Sequence, residues 1–119
     1  DRMTAIVSSH LLNSVDGSHA GGIAVRLINL ASGATIFQTA SDDAGRLLQE
    51  IADPDPAARF ELVFHTGPYW KTRVGQSHGA RIMDEIVLRF AMPDSAGRYH
   101  MPLILSPHGY ALWSSTEHG

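Results

Sequence analysis

The feature that most constrains this chain is a two-residue alternation of apolar and polar side chains, restarted after short clusters of Gly, Pro, Asn and Asp. Successive side chains of a strand point to opposite faces, so such alternation serves a half-buried sheet and is wasted on a helix. Thr4 to Leu12 alternates and ends in Asn13-Ser14-Val15-Asp16-Gly17, and Ile23 to Leu30 sets Ile23, Val25 and Leu27 against Ala24, Arg26 and Ile28. Ala31-Ser32-Gly33 turns the chain into Thr35 to Thr39, and Asp42-Asp43-Ala44-Gly45 leads into an apolar piece, Leu47 to Ile51. After the loop Asp53-Pro54-Asp55-Pro56, the residues Phe60, Leu62 and Phe64 alternate with Glu61, Val63 and His65. Further strands are expected in Glu85 to Ala91 and Tyr99 to Leu105, joined by Pro93-Asp94-Ser95-Ala96-Gly97, with a last one from Gly109 to about Ser115.

One stretch breaks the pattern. In Thr66-Gly67-Pro68-Tyr69-Trp70-Lys71-Thr72-Arg73 a threonine stands where a helix cap belongs and a proline in the first turn, which predicts a short surface helix. Seven or eight short strands and one helix in 119 residues imply an all-β sandwich of two sheets, with residues 1–119 forming a single domain.

Composition narrows the function. Hydrophobic residues are 44% and charged residues 18% of the chain, which fits a soluble globular domain. Nine Lys and Arg against twelve Asp and Glu leave a net charge of −3 and no basic stripe, so a nucleic-acid partner is not expected. The absence of cysteine removes disulfides, thiolate metal sites and thiol nucleophiles together. With no long apolar run and no signal-peptide layout, no membrane association is expected, and the expected location is cytoplasmic. Seven histidines, at positions 10, 19, 65, 78, 100, 108 and 118, are the functional hint, because histidine moves protons near neutral pH and binds metals.

Three motifs compete for those histidines. Gly75-Gln76-Ser77-His78-Gly79 matches the Gly-x-Ser-x-Gly nucleophile elbow, but that elbow needs a strand before it and a helix after it, and a polar loop fits this context better. No histidine pair has the helical i, i+4 or strand i, i+2 spacing of a local metal site, so no metal is expected. The third constellation is His10 at the end of the first strand, Arg46 after a glycine turn, and His100 in a strand whose other face carries Tyr99, Met101, Leu103 and Leu105. If Pro107 and His108 make a two-residue hairpin turn, opposite residue numbers sum to about 215. His100 then faces Ser115, with Ser114 and Thr116 beside it. A histidine among hydroxyls suits proton transfer, and an arginine nearby suits an oxyanion.

Ser9-His10-Leu11-Leu12-Asn13, Asp42-Asp43-Ala44-Gly45-Arg46, Thr66-Gly67-Pro68-Tyr69 and above all Tyr99-His100-Met101-Pro102-Leu103-Ile104-Leu105-Ser106-Pro107-His108-Gly109-Tyr110 resemble the transthyretin-related 5-hydroxyisourate hydrolases, in order and over nearly the whole chain. The resemblance implies a transthyretin-like β-sandwich of two four-stranded sheets with one short helix, assembled as a homotetramer, a dimer of dimers, whose sites lie in a channel between dimers. It also implies metal-free and cofactor-free hydrolysis of 5-hydroxyisourate to 2-oxo-4-hydroxy-4-carboxy-5-ureidoimidazoline in urate degradation. By position, the family's two catalytic histidines fall on His10 and His100 and its catalytic arginine on Arg46.

The chain departs from the family at its tail. Where the family ends in Tyr-Arg-Gly-Ser, this sequence reads Trp113-Ser114-Ser115-Thr116, followed by Glu117-His118-Gly119. The aromatic and the terminal hydroxyl are kept in kind as Trp113 and Thr116, so Thr116 joins the expected catalytic set, while Trp113, Ser114 and Ser115 are expected to bind substrate. Ile82-Met83-Asp84-Glu85 likewise replaces the family's Phe-Phe-Pro-Glu, a change in packing. In the leading reading one histidine, with His100 favoured, activates water for attack on a ring carbonyl. Arg46 stabilises the oxyanion and the other histidine protonates the leaving nitrogen. The alternatives are a divergent enzyme acting on another small cyclic substrate, for example in a biosynthetic pathway, and a non-catalytic small-ligand-binding protein.

Overall fold

A computed structural model describes residues 3–116, the side chain of Thr116 excepted; Glu117-His118-Gly119, and with them His118, lie outside the described residues. Ten strands and one helix follow in the order β1 (Thr4–Asn13), β2 (Ala24–Asn29), β3 (Thr35–Ala40), β4 (Arg46–Ala52), β5 (Arg59–His65), α1 (Gly67–Lys71), β6 (Ile86–Ala91), β7 (Arg98–His100), β8 (Leu103–Ser106), β9 (Gly109–Leu112) and β10 (Ser115–Thr116). They form two sheets packed face to face. One runs β3-β2-β5-β6, and the other is built on β1, with β4 on one side and β7, β8, β9 and β10 on the other.

The second sheet has six segments but four strand positions. β7 and β8 both run parallel to β1 in a single register, Ile6 beside Arg98 and Leu11 beside Leu103, so they are one strand interrupted at Met101 and Pro102. The interruption has a chemical cause, since Pro102 has no N–H to give to the ladder. Buried Ser9 bridges the gap by donating its hydroxyl to the Met101 carbonyl at 2.6 Å. β9 and β10 are likewise one strand broken at Trp113 and Ser114, because Leu103 faces Leu112 and His100 faces Ser115 in the same hairpin register. The continuous strands expected over Tyr99 to Leu105 and Gly109 to Ser115 are therefore each split, while the expected pairing of His100 with Ser115 is present.

Alternation decides which residues enter the core. Ala5, Val7 and Leu11 of β1, Val25 and Leu27 of β2, Phe60, Leu62 and Phe64 of β5, and Leu103 and Leu105 of β8 are buried between the sheets. The same alternation turns Ile6, Ser8, His10 and Leu12 outward from the other face of β1. α1 forms where the proline-led segment predicts it, with Tyr69 and Trp70 buried, but Thr66 does not cap it. Thr66 sits in helical conformation, and its buried hydroxyl reaches the Asp84 carbonyl instead, at 3.5 Å. No helix among the described residues is long and apolar enough to cross a membrane.

Candidate active site

The outer face of the β1 sheet gathers the residues that carry chemistry. Directly paired residues of neighbouring strands project to one face, and next-but-one residues along a strand rejoin it. His10 of β1 pairs with Arg46, the first residue of β4. One step back along that face, Ser8 pairs with Leu48 on one side and with His100 on the other, and Ser115 lies beyond His100. A further step back, Ile6 pairs with Glu50 and Arg98. Strand spacing puts these neighbours about 5 Å apart across the sheet and about 7 Å apart along it. His10, Arg46 and His100, 90 residues apart in sequence at the extremes, thus come together on a rigid platform.

A backbone junction at Leu11 fixes the His10 end. The Leu11 N–H donates to the Gly45 carbonyl at 2.7 Å, and its carbonyl accepts from the Ala20 N–H at 2.9 Å. Gly45 has a φ of +73°, and a Cβ there would lie 2.3 Å from the Leu11 carbonyl oxygen, so only glycine lets the turn come this close. The turn is held from within by Asp42, whose Oδ1 accepts from the N–H groups of Ala44 and Arg46, at 2.9 Å each. Arg46 consequently enters β4 in a set position opposite His10.

His10 has a second ring beside it. The imidazole of His19 stands edge-on to it, with centroids 4.9 Å apart and planes at 68°, and His19 Nδ1 is 3.4 Å from His10 Nε2. His19 Nδ1 also lies 2.7 Å from the Ala44 carbonyl, which can only accept, so this nitrogen carries the hydrogen. The pKa of His10 is lowered from its usual 6.5, first by burial and then by the positive field of Arg46, with His19 and His100 adding to it. The nearby Ala44 carbonyl, which accepts from His19 and has a second lone pair, works the other way, and burial with the positive field outweighs it. His10 is therefore a neutral imidazole at pH 7, able to accept a proton.

His100 is held by a hydroxyl, and the hydroxyl is that of Ser8: Ser8 Oγ and His100 Nδ1 are 2.8 Å apart. Ser115 is its backbone partner, while Thr116 pairs with Tyr99. Beside these residues lies a cavity of about 310 Å³, lined by Ser8, Asp42, Arg46, Leu48, Arg98 and His100 among others. Trp113, Ser114 and Ser115 line a different, more apolar cavity of about 530 Å³ with Leu88, Phe90 and Leu112, and Arg98 and His100 belong to the walls of both. The structure thus sets His10, Arg46 and His100 on one sheet face, with Arg46 and His100 but not His10 in the walls of the smaller cavity, and sets the three tail residues around the neighbouring space.

Three residues at the site escaped the sequence reading. Ser8 and Arg98 each stand two positions before an expected histidine, and strand alternation alone puts them on its face. His19 carried no such signal, because it arrives through a loop folded back on β1. The remaining described histidines lie elsewhere: His65 is 3.6 Å from Glu85, and His108 donates to the His78 carbonyl at 2.7 Å. The segment 75–79 is loop with neither the strand nor the helix of a nucleophile elbow. Among the described residues no group of three or more His, Asp or Glu is arranged to hold a metal ion.

Fold and site together define a two-sheet β-sandwich with a polar His–Arg–His platform on the outside of one sheet. The family profile described as HIUase/Transthyretin matches residues 7–114, and the chain belongs to that family. A 5-hydroxyisourate hydrolase of Pseudomonas aeruginosa is 28% identical over 111 residues, spanning 90% of this chain and 88% of its own length. A probable 5-hydroxyisourate hydrolase of Caenorhabditis elegans is 34% identical over 115 residues, 92% of this chain and 80% of its own. Among solved structures, the 5-hydroxyisourate hydrolase of Klebsiella pneumoniae superposes with a TM-score of 0.77 at 24% identity, covering 94% of this chain and 99% of that one. Transthyretin from Sparus aurata gives 0.79 at 23%, over 94% and 97%, so the sandwich is shared with both kinds of relative.

Proposed function

We propose that the protein is a cofactor-independent hydrolase that opens 5-hydroxyisourate to 2-oxo-4-hydroxy-4-carboxy-5-ureidoimidazoline in urate degradation. The observation that carries this reading is the pairing of His10 with Arg46 on the face that also presents His100. His10 takes a proton from water, and the oxygen attacks a ring carbonyl carbon. The guanidinium of Arg46 holds the oxyanion that forms, its planar donors matching that charge. As the tetrahedral centre collapses, the amide C–N bond breaks and the ring nitrogen leaves with a proton from His100, whose ring Ser8 keeps oriented. Water is added across one C–N bond, and loss of the proton from His10 with uptake of one at His100, both through solvent, returns the two rings to their starting forms. The base role favoured for His100 from the sequence passes to His10, because Arg46 and burial keep His10 in its proton-accepting form.

Arg98 supports binding of an anionic ring, since it gives the catalytic cavity a second cation with no carboxylate within salt-bridge distance among the described residues. Ser115 and Trp113 would meet the far side of the substrate from the adjoining space. Thr116 remains a proposed participant by position. A homotetramer with sites between dimers, a single domain over residues 1–119 and a cytoplasmic location belong to the same reading. The test is direct: 5-hydroxyisourate made from urate by urate oxidase is followed by its ultraviolet decay. Micromolar protein accelerates the decay if the reading is right, and an unchanged rate refutes it.

A second reading has one observation in its favour. The larger cavity is apolar and bordered by the altered tail at Trp113 and Ser114, which suits a bulkier cyclic amide than a urate derivative. A protein inert toward 5-hydroxyisourate but active on an aryl-substituted hydantoin or related imide supports this alternative.

A further inference from the structure

The one histidine at the site without a part in the reaction is His19, and its setting is too specific for a loop residue that merely covers the surface. The loop after β1 folds back on itself: Ser18 gives both its N–H and its hydroxyl to Asp16 Oδ1, at 2.9 and 2.6 Å, and the Asn13 N–H donates to the Ser18 carbonyl at 2.8 Å. The two Ser18 bonds, with the Gln76 amide donating to Asp16 Oδ2 at 2.8 Å, hold the Asp16 carboxyl down to about 2. His19 then bridges to Leu12, and Ala20 is buried and tied to Leu11. The ring of His19 is left pointing at the Ala44 carbonyl and at His10 Nε2.

We propose that His19 is a positioning residue for His10, presenting an N–H anchored on Ala44 so that His10 Nε2 stays an acceptor and its ring keeps one orientation. The inference rests on the assignment of His10 as the base. His19 Nδ1 must carry a hydrogen to satisfy the Ala44 carbonyl. A proton on His10 Nε2 would bring a second N–H within 3.4 Å of that of His19, with the Ala44 carbonyl as the one acceptor both must share. Neutral His10 with its hydrogen on Nδ1 meets no such crowding, and its Nε2 lone pair lies against the partly shared hydrogen. The other groups around His10 are Arg46 from β4, His100 from β7 across the sheet, the neutral Ser8 on its own strand, and Asp42 in the turn, whose Oδ1 is taken up by backbone N–H groups. Arg46 also favours neutral His10, but as a charge at a distance, whereas His19 acts on a stated atom and sets the ring plane.

The test replaces the exposed His19 with Phe, which keeps a ring and removes the donor, and with Ala, which removes both. The imidazole of His10 is titrated by NMR in each full-length protein, and kcat/KM for 5-hydroxyisourate is measured against pH. Both variants should raise the pH at which His10 takes its proton, and with it the acid limb of kcat/KM. A half-unit shift lowers activity about threefold well below the limb and leaves it unchanged at pH 8. An unmoved His10 titration in both variants, with the His100 signals native-like, overturns the proposal. A His10 titration that moves in a wild-type background that never turns over 5-hydroxyisourate supports the positioning role and refutes the reaction instead.

Discussion

At the scale of single residues, proton transfer depends on a histidine held in the right form, and the two histidines here are held differently. His10 is kept neutral by burial and by Arg46, whereas His100 is oriented by Ser8. Replacing either by Ala should lower kcat/KM by about 10²–10⁴-fold, the usual worth of one general acid or base, with the circular-dichroism spectrum unchanged. Arg46→Ala should cost about 10²–10³-fold in kcat, as loss of an oxyanion donor does, and Arg46→Lys should recover only part, because a point charge lacks the planar fork. Arg98→Ala should act mainly on KM, since this side chain offers charge to the bound ring away from the reacting carbon. The pH dependence follows from the sign of the His10 shift. A folded-state value below 6.5 keeps the base form present from pH 7 down past 6.5, so the acid limb of kcat/KM in the free enzyme falls below that value. The same shift contributes stability above pH 6.5 that is lost as pH falls through the lowered value, and thermal melts between pH 7 and pH 5 should show Tm declining in that direction.

At the scale of elements, the site depends on how closely the 42–45 turn approaches the end of β1. Gly45→Ala combines a left-handed backbone with a Cβ 2.3 Å from a carbonyl oxygen, whereas Gly33→Ala shares the backbone strain, at φ +72°, with open space around it. Gly33→Ala should cost about 1 kcal/mol from backbone strain alone. Gly45→Ala should cost clearly more and also lower kcat, because the turn that carries Ala44 and Arg46 must move; equal losses of Tm in the two variants contradict this account. Much of this architecture was legible beforehand. The alternation in β1, β2 and β5 names their buried faces, and the Pro107-His108 hairpin arithmetic places His100 opposite Ser115. Other features were hidden for physical reasons. The gap at Pro102 depends on which neighbour β7 and β8 pair with, and that neighbour, β1, is about 90 residues away. The contact of His10 with His19 depends on a loop closing over Leu11, and no periodicity records a loop closure. Thr66 carried a cap signal that tertiary packing overrode, since its hydroxyl is buried against the 84–85 segment.

At the scale of the whole molecule, the catalytic platform is the outside of a sheet, and a sheet face forms only one wall of a reaction chamber. The face that carries His10, Arg46 and His100 also carries Ile6, Leu12, Leu48 and Ile104, with Leu48 57% exposed. Apolar side chains ringing a polar centre are what an interface needs, because burying them drives association while the centre stays hydrated for substrate. A second copy laid on this face by a two-fold axis would meet its own pattern and close the cavity with like residues. The proposed tetramer therefore predicts a solution mass about four times the 12.9 kDa of the chain by sedimentation or light scattering. Ile104→Glu tests the face without touching the catalytic cavity, whose walls do not include this residue. A buried like-charge pair across the axis should split the assembly into smaller, folded species and take turnover down with it. A monomeric wild type with full activity, or an Ile104→Glu variant that keeps both mass and rate, would place the second wall of the site elsewhere.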